Sequence, residues 1–572
     1  MKATRLTLLM LAGFSALVVN LVWMQVIRGG VYRALSEKNR IRVIFLEPPR
    51  GRVLDRKGEV LATSRLSFNC SAIHREANPR IRESCAIVGP ILGVDPAELE
   101  KRFLKRKAGA FNTVLLAEDI PAAQAIAIEE RLDFLPGFLI ETRPQRIYPY
   151  GESAAHLVGF TGPLMQEEVD VMESRGYRQA DWLGRDGVEK MYEETLRGLS
   201  GGLQIEVDSR GRLVRALGVK EPKEGKDVQL TIDAKLQSYV QGLLKERKGA
   251  VLVLELKEGG LLAVNSSPSF DSNLFASTRG RKEVGKYLHG TNSPMVNRGL
   301  QGQYPPGSIF KIVTALAALD GRKITPATTF QCAGYSVIGG NRFRCWNENG
   351  HGPQCLAEAF AHSCNVYFYR AGLAGGADTL FAKAVEFGFS KTAGIDLPGE
   401  KRGFVPSREW KNRLHKGPWY DGETANLAIG QGSLQVTPLQ AVVMIAAVAT
   451  DGQILKPHVI DKIQGMKAAE RRTRPMTVSR HWKAIKEGLD QVVNSDTGTG
   501  RLAQVPGVRI AGKTGTAQSG QDRTHAWFVG FAPEEDPKVA MVVFLEHGGR
   551  GGVNAAGVAA PVWKWLKDAK YL

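Results

Sequence analysis

The rhythm of hydrophobic and polar positions changes several times along the chain, and each change predicts an element. Residues 6–27 form an uncharged, mostly apolar run of 22 residues. As a helix this run is about 33 Å long, enough to cross a hydrocarbon core of about 30 Å. No second run of that length exists in the sequence. Residues 48–58 (Pro-Pro-Arg-Gly-Arg-Val-Leu-Asp-Arg-Lys-Gly) read as a turn entering a strand and ending in another turn. Residues 77–135 repeat apolar positions at helical spacing, as in Pro96-Ala97-Glu98-Leu99-Glu100-Lys101-Arg102-Phe103-Leu104. From residue 249 the pattern changes. Residues 249–256 are apolar almost throughout and read as a buried strand, 257–260 as a turn and 261–264 as its hairpin partner. Helical patterns follow at 308–320, 356–372, 377–388 and 436–450, strands at 525–532 and 538–546, and a final helix at 558–568. Strands at both ends of this region with helices between them predict one antiparallel sheet, closed by both ends and covered by helices.

Composition narrows the class. A chain of 572 residues is too long for one ordinary core, so at least two folded units are expected. Hydrophobic residues at 43% and charged residues at 23% give a globular balance. Net charge is +18, yet zinc-finger spacing, ribonucleoprotein aromatics and a basic helix with heptads are all missing. The basic balance therefore reads as a solvated surface beside anionic lipid, with no nucleic acid. Lys2 and Arg5 precede the apolar run, which places the short N-terminus in the cytoplasm and everything after Arg28 outside the membrane. A cleaved signal peptide and a buried globular helix are the rival readings. The run is longer than a signal-peptide core and lacks a small-x-small site before a polar chain. Residues 28–230 carry no recognisable nucleophile, metal cage or phosphate loop and read as scaffold.

Chemistry gathers in the second half. In Pro305-Pro306-Gly307-Ser308-Ile309-Phe310-Lys311, Ser308 follows a glycine turn near a helix start, and Lys311 shares its helix face. A serine needs an adjacent base, and a lysine can serve if burial or cations lower its pKa. Alone, the pair is equally an N-cap serine beside a solvated lysine. Ser363-Cys364-Asn365 follows a helical segment, and Lys513-Thr514-Gly515-Thr516 sits at a strand edge. Either could be an ordinary link. The three in this order and spacing are specific, because the triple recurs among penicilloyl-serine transferases.

On these residues the chain resembles the class B penicillin-binding proteins over nearly its whole length. Residues 50–56 and 184–202 are similar to that family's pedestal. Asn297-Arg298, residues 304–311, Ile429-Gly430-Gln431-Gly432, Thr437-Pro438-Leu439-Gln440 and residues 511–517 are similar to its transpeptidase domain. Tyr304-Pro305-Pro306-Gly307, Gly350-His351-Gly352 and residues 363–369 look most like the elongation-type group, penicillin-binding protein 2. The resemblance implies an α+β chain: a cytoplasmic tail (1–5), a transmembrane helix (6–27), an elongated, mostly-β pedestal of the dimerisation type (28–235) and a transpeptidase domain like serine β-lactamases (236–572). It implies a peptidoglycan D,D-transpeptidase acting in cell-wall elongation and inhibited by β-lactams, with D,D-carboxypeptidase activity on the side. Ser308 would attack the penultimate D-Ala of a stem peptide and Lys311 would take its proton. Ser363 and Asn365 would relay protons and orient the amide. Lys513 would attract the terminal carboxylate, with Thr514 or Thr516 hydrogen-bonding it. The backbone N–H groups of Ser308 and of Thr516, which follows Gly515, would form the oxyanion hole. The implied partner is a SEDS-family glycosyltransferase (RodA) of the elongation machinery, at the inner membrane with the catalytic domain periplasmic. A division-type transpeptidase, a carboxypeptidase or β-lactamase, and a non-enzymatic β-lactam sensor are the other readings. An intact triple argues against the sensor, and the long scaffold and lack of an assignable deacylating glutamate argue against a β-lactamase.

Catalysis on this scheme needs no cofactor and no histidine. Cys332, Cys345, His351 and Cys364 nonetheless lie between the first two motifs, and three thiolates with one imidazole suit a tetrahedral structural zinc. A Cys332–Cys345 disulfide and buried free thiols are the alternatives, and Cys355 is a candidate substitute ligand. Cys70 and Cys85, in the scaffold, read as buried residues or a disulfide. His156, His525 and His547 read as packing residues, with Trp527 near the active-site edge.

Overall fold

The computed structural model describes residues 2–32, 41–105, 113–178, 181–207, 213–277, 280–414, 417–468, 473–520 and 523–572. Residue 1 of the expected tail and residues 33–40, 106–112, 179–180 and 208–212 of the expected pedestal lie outside this set. The chain divides into two compact units.

One unit comprises Met1–Gly51, Ser64–Gln145 and Arg197–Gly225. Its first helix, Lys2–Val22, continues as a wider turn over Trp23–Ile27. Phe14, Leu17, Val19 and Ile27 stand exposed on this segment. The stretch Met10–Ile27 is long and apolar enough to cross a membrane. The Arg28 guanidinium lies over the Trp23 ring at 4.4 Å, a pair suited to a membrane–water boundary. Further on, residues 68–73 pair antiparallel with Thr113–Ile120. Ile81–Leu92 and Pro96–Lys105 share a core with these strands through Val88, Leu99, Phe103 and Val114. Helical periodicity expected across 77–135 thus resolves into separate helices, packed beside these strands. Cys70 and Cys85 are free thiols in this core. Burial pushes them up to about 12 and about 11 respectively. Ile41–Leu46, Gly201–Val207 and Leu213–Lys220 form a separate antiparallel sheet.

The other unit comprises Arg52–Thr63, Arg146–Leu196 and Lys226–Leu572. Its centre is a five-stranded antiparallel sheet: β1 (Gly249–Glu255), β2 (Leu261–Ser267), β3 (Ala511–Gln518), β4 (Thr524–Ala532) and β5 (Val539–Leu545), in the order β2-β1-β5-β4-β3. β1, β2 and β5 are buried along nearly their whole length, so they read as continuous apolar runs rather than alternating ones. Helix α1 (Lys311–Asp320) is buried on every side except at Asp320, as is α2 (Pro438–Ala449) throughout. Thr437 caps α2 by accepting from Gln440 N, while the Gln440 side chain accepts from Thr437 N. The final helix, Ala556–Asp568, is preceded by a wide turn at Gly551–Ala555.

The Gly184-Arg185-Asp186-Gly187-Val188-Glu189 motif has a structural explanation. Glu189 is fully buried and accepts from Arg146 Nε at 2.6 Å. Gly187 has φ +58, and a side chain there would meet Gly159 N and Leu157 O at 2.5 Å. Arg52, of the other early motif, pairs with Asp227 at 2.6 Å.

Candidate active site

Ser308 does not start an α-helix. Gly307–Phe310 is a 3₁₀ turn that feeds α1 at Lys311. Gly307 has φ +55, and a Cβ there would sit 2.8 Å from Thr516 O. Its N–H donates to Gly430 O at 2.9 Å. The nucleophile turn is therefore clamped between β3 and the Ile429-Gly430-Gln431-Gly432 loop, with no room for a side chain before the serine. Ser308 itself is half-buried and lines a cleft of about 990 Å³.

Lys311 is fully buried. Its Nζ donates to Asn365 Oδ1 (2.7 Å), Ser363 O (2.8 Å) and Ser363 Oγ (3.3 Å). Among the described residues none of its hydrogen bonds goes to Ser308, which is one helical step away on the same face. Burial lowers its pKa to about 8, within reach of the neutral amine that a base requires. Lys513 is also fully buried, on β3, and donates to Ser363 Oγ at 2.9 Å and Thr514 O at 3.0 Å. Burial first, and repulsion from Lys311 second, hold it well below the usual amine range. The Ser363 hydroxyl thus joins two amines, and the three motifs meet at that atom.

The expected continuous helix over 356–372 is broken. Leu356–Ala361 ends, and a second helix begins at Asn365. Between them Ser363 adopts φ +51, a left-handed conformation that costs about 1 kcal/mol or more for a non-glycine residue. The break turns the Ser363 hydroxyl and the Asn365 amide toward Lys311. An unbroken helix would put them on faces about 200° apart.

On β3 the motif residues have separate duties. Gly515 has Pro306 O at 3.0 Å and Trp527 Cβ at 3.1 Å from where its Cβ would stand. The Thr514 hydroxyl bonds Thr499 Oγ1 at 2.9 Å, and Thr516 Oγ1 accepts from Gly551 N at 3.2 Å. Trp527 is fully buried and its indole N–H donates to Pro305 O at 3.0 Å, tying β4 to the nucleophile turn. β3 is an edge of the sheet among the described residues. Thr514 and Thr516 line the cleft, but neither lysine does. Lys513 lies buried on that strand, with its amine donating to Ser363 Oγ. Thr499 and the arginines of the cleft wall escaped sequence reasoning. The Ser/Thr/Gly cluster at 495–500 was the only signal for the threonine.

Behind the Ser363 break, Cys332, Cys345, His351 and Cys364 offer four ligand atoms within 4.8 Å of one another. His351 Nδ1 lies 3.6 Å from both Cys332 Sγ and Cys345 Sγ. A tetrahedral zinc with Zn–S of ~2.3 Å and Zn–N of ~2.1 Å has S···N edges of about 3.6 Å, so the residues fit such an ion. The thiols are free, without the disulfide, and Cys355 instead caps the helix Leu356–Ala361 outside the cluster. Cys364 donates to Cys345, which stabilises the Cys345 thiolate and pushes Cys364 up. His156 and His525 are buried and each is lowered to about 4, mainly by burial. His547 accepts or donates at Ser519 Oγ (3.1 Å), away from the lysines.

Residues 249–564 match the family described as penicillin binding protein transpeptidase domain, and residues 45–230 match the penicillin-binding protein dimerisation domain. A peptidoglycan D,D-transpeptidase MrdA of Haemophilus influenzae is 33% identical over 99% of this chain and 91% of that protein. The Helicobacter pylori penicillin-binding protein PBP2, solved in complex with MreC, superimposes with a TM-score of 0.84 at 29% identity, covering 93% of this chain and all of that one. A chain from a peptidoglycan synthase complex that coordinates polymerization and crosslinking gives a TM-score of 0.75 at 31% identity, covering 100% and 98%.

Proposed function

The chain belongs to the penicillin-binding protein transpeptidase family, and from that premise we propose how its own residues perform the reaction. It is a peptidoglycan D,D-transpeptidase of the elongation type, a serine acyltransferase whose chemistry needs no cofactor. Ser308 Oγ attacks the carbonyl of the penultimate D-Ala while its proton passes to Lys311. The C–N bond breaks, and the terminal D-Ala leaves with that proton on its amine. An amine of a second stem peptide then attacks the ester, its proton passing back to Ser308, and an amide cross-link results. Asn365 and Ser363 hold Lys311 in place, and Lys513, held on Ser363 Oγ, attracts the terminal carboxylate that Thr514 or Thr516 hydrogen-bonds. The backbone N–H groups of Ser308 and Thr516 receive the oxyanion, each donor contributing about 3 kcal/mol to the transition state. Gly307 packs on Thr516 O, which supports their closeness. As an edge strand, β3 can pair with an extended peptide. The observation that carries this reading is the meeting of Lys311, Asn365 and Lys513 around Ser363, beside the Ser308 turn. Labelled penicillin should form a stable adduct with the protein and none with Ser308→Ala. Covalent label on the alanine variant would refute the assignment.

Cys332, Cys345, His351 and Cys364 would hold a structural zinc that ties Cys364, and so the Ser363 break, to the strands bearing the other ligands. Metal analysis should find one zinc per chain. A metal-free protein with two thiols lost to oxidation would refute it. Residues 6–27 would be a single-pass anchor with a cytoplasmic N-terminus, supported by Lys2 and Arg5. The expected partner is a SEDS-family glycosyltransferase (RodA), supported by the relatives' MreC and synthase complexes. Co-purification through residues 1–230 tests it.

A further inference from the structure

Two threonines of the cleft wall are bonded to each other: the Thr514 hydroxyl donates to Thr499 Oγ1 at 2.9 Å. Thr514 is fixed by the pairing of β3 with β4. Thr499 sits on residues 495–500, which belong to no helix or strand, so it must be held by other means. On one side Gly500 N donates to Val492 O of the preceding helix at 2.8 Å. The other side meets the Ser363 break. There Thr499 N donates to Ala361 O at 3.1 Å, and the Thr497 hydroxyl lies 2.9 Å from His362 Nε2. His362 thus stands between the break that carries Ser363 and the segment that carries Thr499, and no step of the reaction described above uses it.

The His362 ring is itself fixed. Gln354 is buried, and its Nε2 donates to His351 O (3.1 Å) and Pro353 O (2.8 Å), which leaves its Oε1 as an acceptor. His362 Nδ1, 2.6 Å from that oxygen, must therefore carry a hydrogen. Nε2 is left to face Thr497, whose hydroxyl can donate or accept, so the link holds whatever the charge on the ring. The ring also lies parallel to that of His351, with 5.5 Å between centroids. We infer that His362 is a positioning residue: through Thr497 it holds the Thr499 segment against β3, where Thr499 and Thr514 face an incoming acyl donor. It governs capture of the donor rather than the chemical step, because Lys311 keeps its bonds to Ser363 and Asn365 without Thr497. This rests on the reading of Ser308 as the nucleophile.

The test follows acylation of the full chain over a concentration series of labelled penicillin, so that the half-saturating concentration and the maximal rate are read separately. Thr497→Val deletes the hydroxyl at an exposed position and keeps the shape. It should raise the half-saturating concentration about fivefold and change the maximal rate less than about twofold. Thr497→Ser restores a hydroxyl and should return both values to those of wild type. His362→Asn keeps a donor for Gln354 but cannot reach Thr497, and should give the same shift as Thr497→Val. The double variant should shift no further than either single one, because the same link is lost in all three. The inference is overturned by a Thr497→Val protein without a shift, by a loss confined to the maximal rate, by failure of Thr497→Ser to restore binding, or by additive losses in the double variant. Should the His362 variant fail to fold, the two Thr497 variants decide. Ser308→Ala should take no label. Label on that variant would refute the nucleophile and not the role of His362, so the two failures are distinct.

Discussion

At the scale of single residues, the site turns on how burial treats two amines. Lys311 is lowered to about 8 because its ammonium has lost water without gaining a carboxylate partner. A base must be neutral, so acylation should rise with pH through about 8 and level off above it. The gain from pH 7 to pH 9 should be about tenfold in the rate of penicillin acylation. A rate that falls across this range would exclude Lys311 as the base. Lys311→Arg keeps the length and charge but cannot deprotonate, and should abolish acylation while the protein remains folded by circular dichroism. Ser308 and Lys311 were legible in the sequence because three-residue spacing on a helix face is a local property. The direction of the Lys513 side chain was not, since it depends on Ser363, 150 residues away.

Among elements, loops decide more than helices. The helix break at Ser363 was invisible to periodicity, because Ala361, Cys364 and Phe368 keep an apolar pattern through it. Four of the five strands were legible, since their apolar runs need only length and turn signals, whereas β3 carries no such run and showed itself only through its motif. Gly430 has φ +73, and a Cβ there would lie 2.1 Å from Gly307 O. Gly430→Ala should push the nucleophile turn off β3, with penicillin acylation about tenfold slower or worse and the melting temperature lowered. Glu189→Ala would leave Arg146 in a site where it is 3% exposed. It should cost about 3 kcal/mol of stability in denaturant titration, with unchanged acylation by the folded fraction. The proposed zinc site predicts that a chelator loosens residues 363–365, read as faster hydrogen exchange there.

Over the whole molecule, composition bounded the number of units, and the motifs located the chemistry. Neither showed that residues 52–63 and 146–196, early in the chain, pack with the catalytic unit. Such grouping arises from long-range contacts like that of Tyr148, whose hydroxyl and backbone bond Thr161 and Asn273, and no local pattern encodes it. The apolar segment predicts that the full chain sediments with membranes, and that a chain beginning at residue 41 is recovered in the soluble fraction and still binds penicillin.

The strand order has a temporal side. β5 is made late, yet it lies between β1 and β4, in the middle of the sheet. A growing polypeptide that has passed residue 267 thus carries a finished hairpin whose β1 flank has no neighbour until residue 545 emerges. Until then about 280 residues of half-built protein stay in a state that cannot close, and a product cut short before β5 should be sticky and quickly degraded.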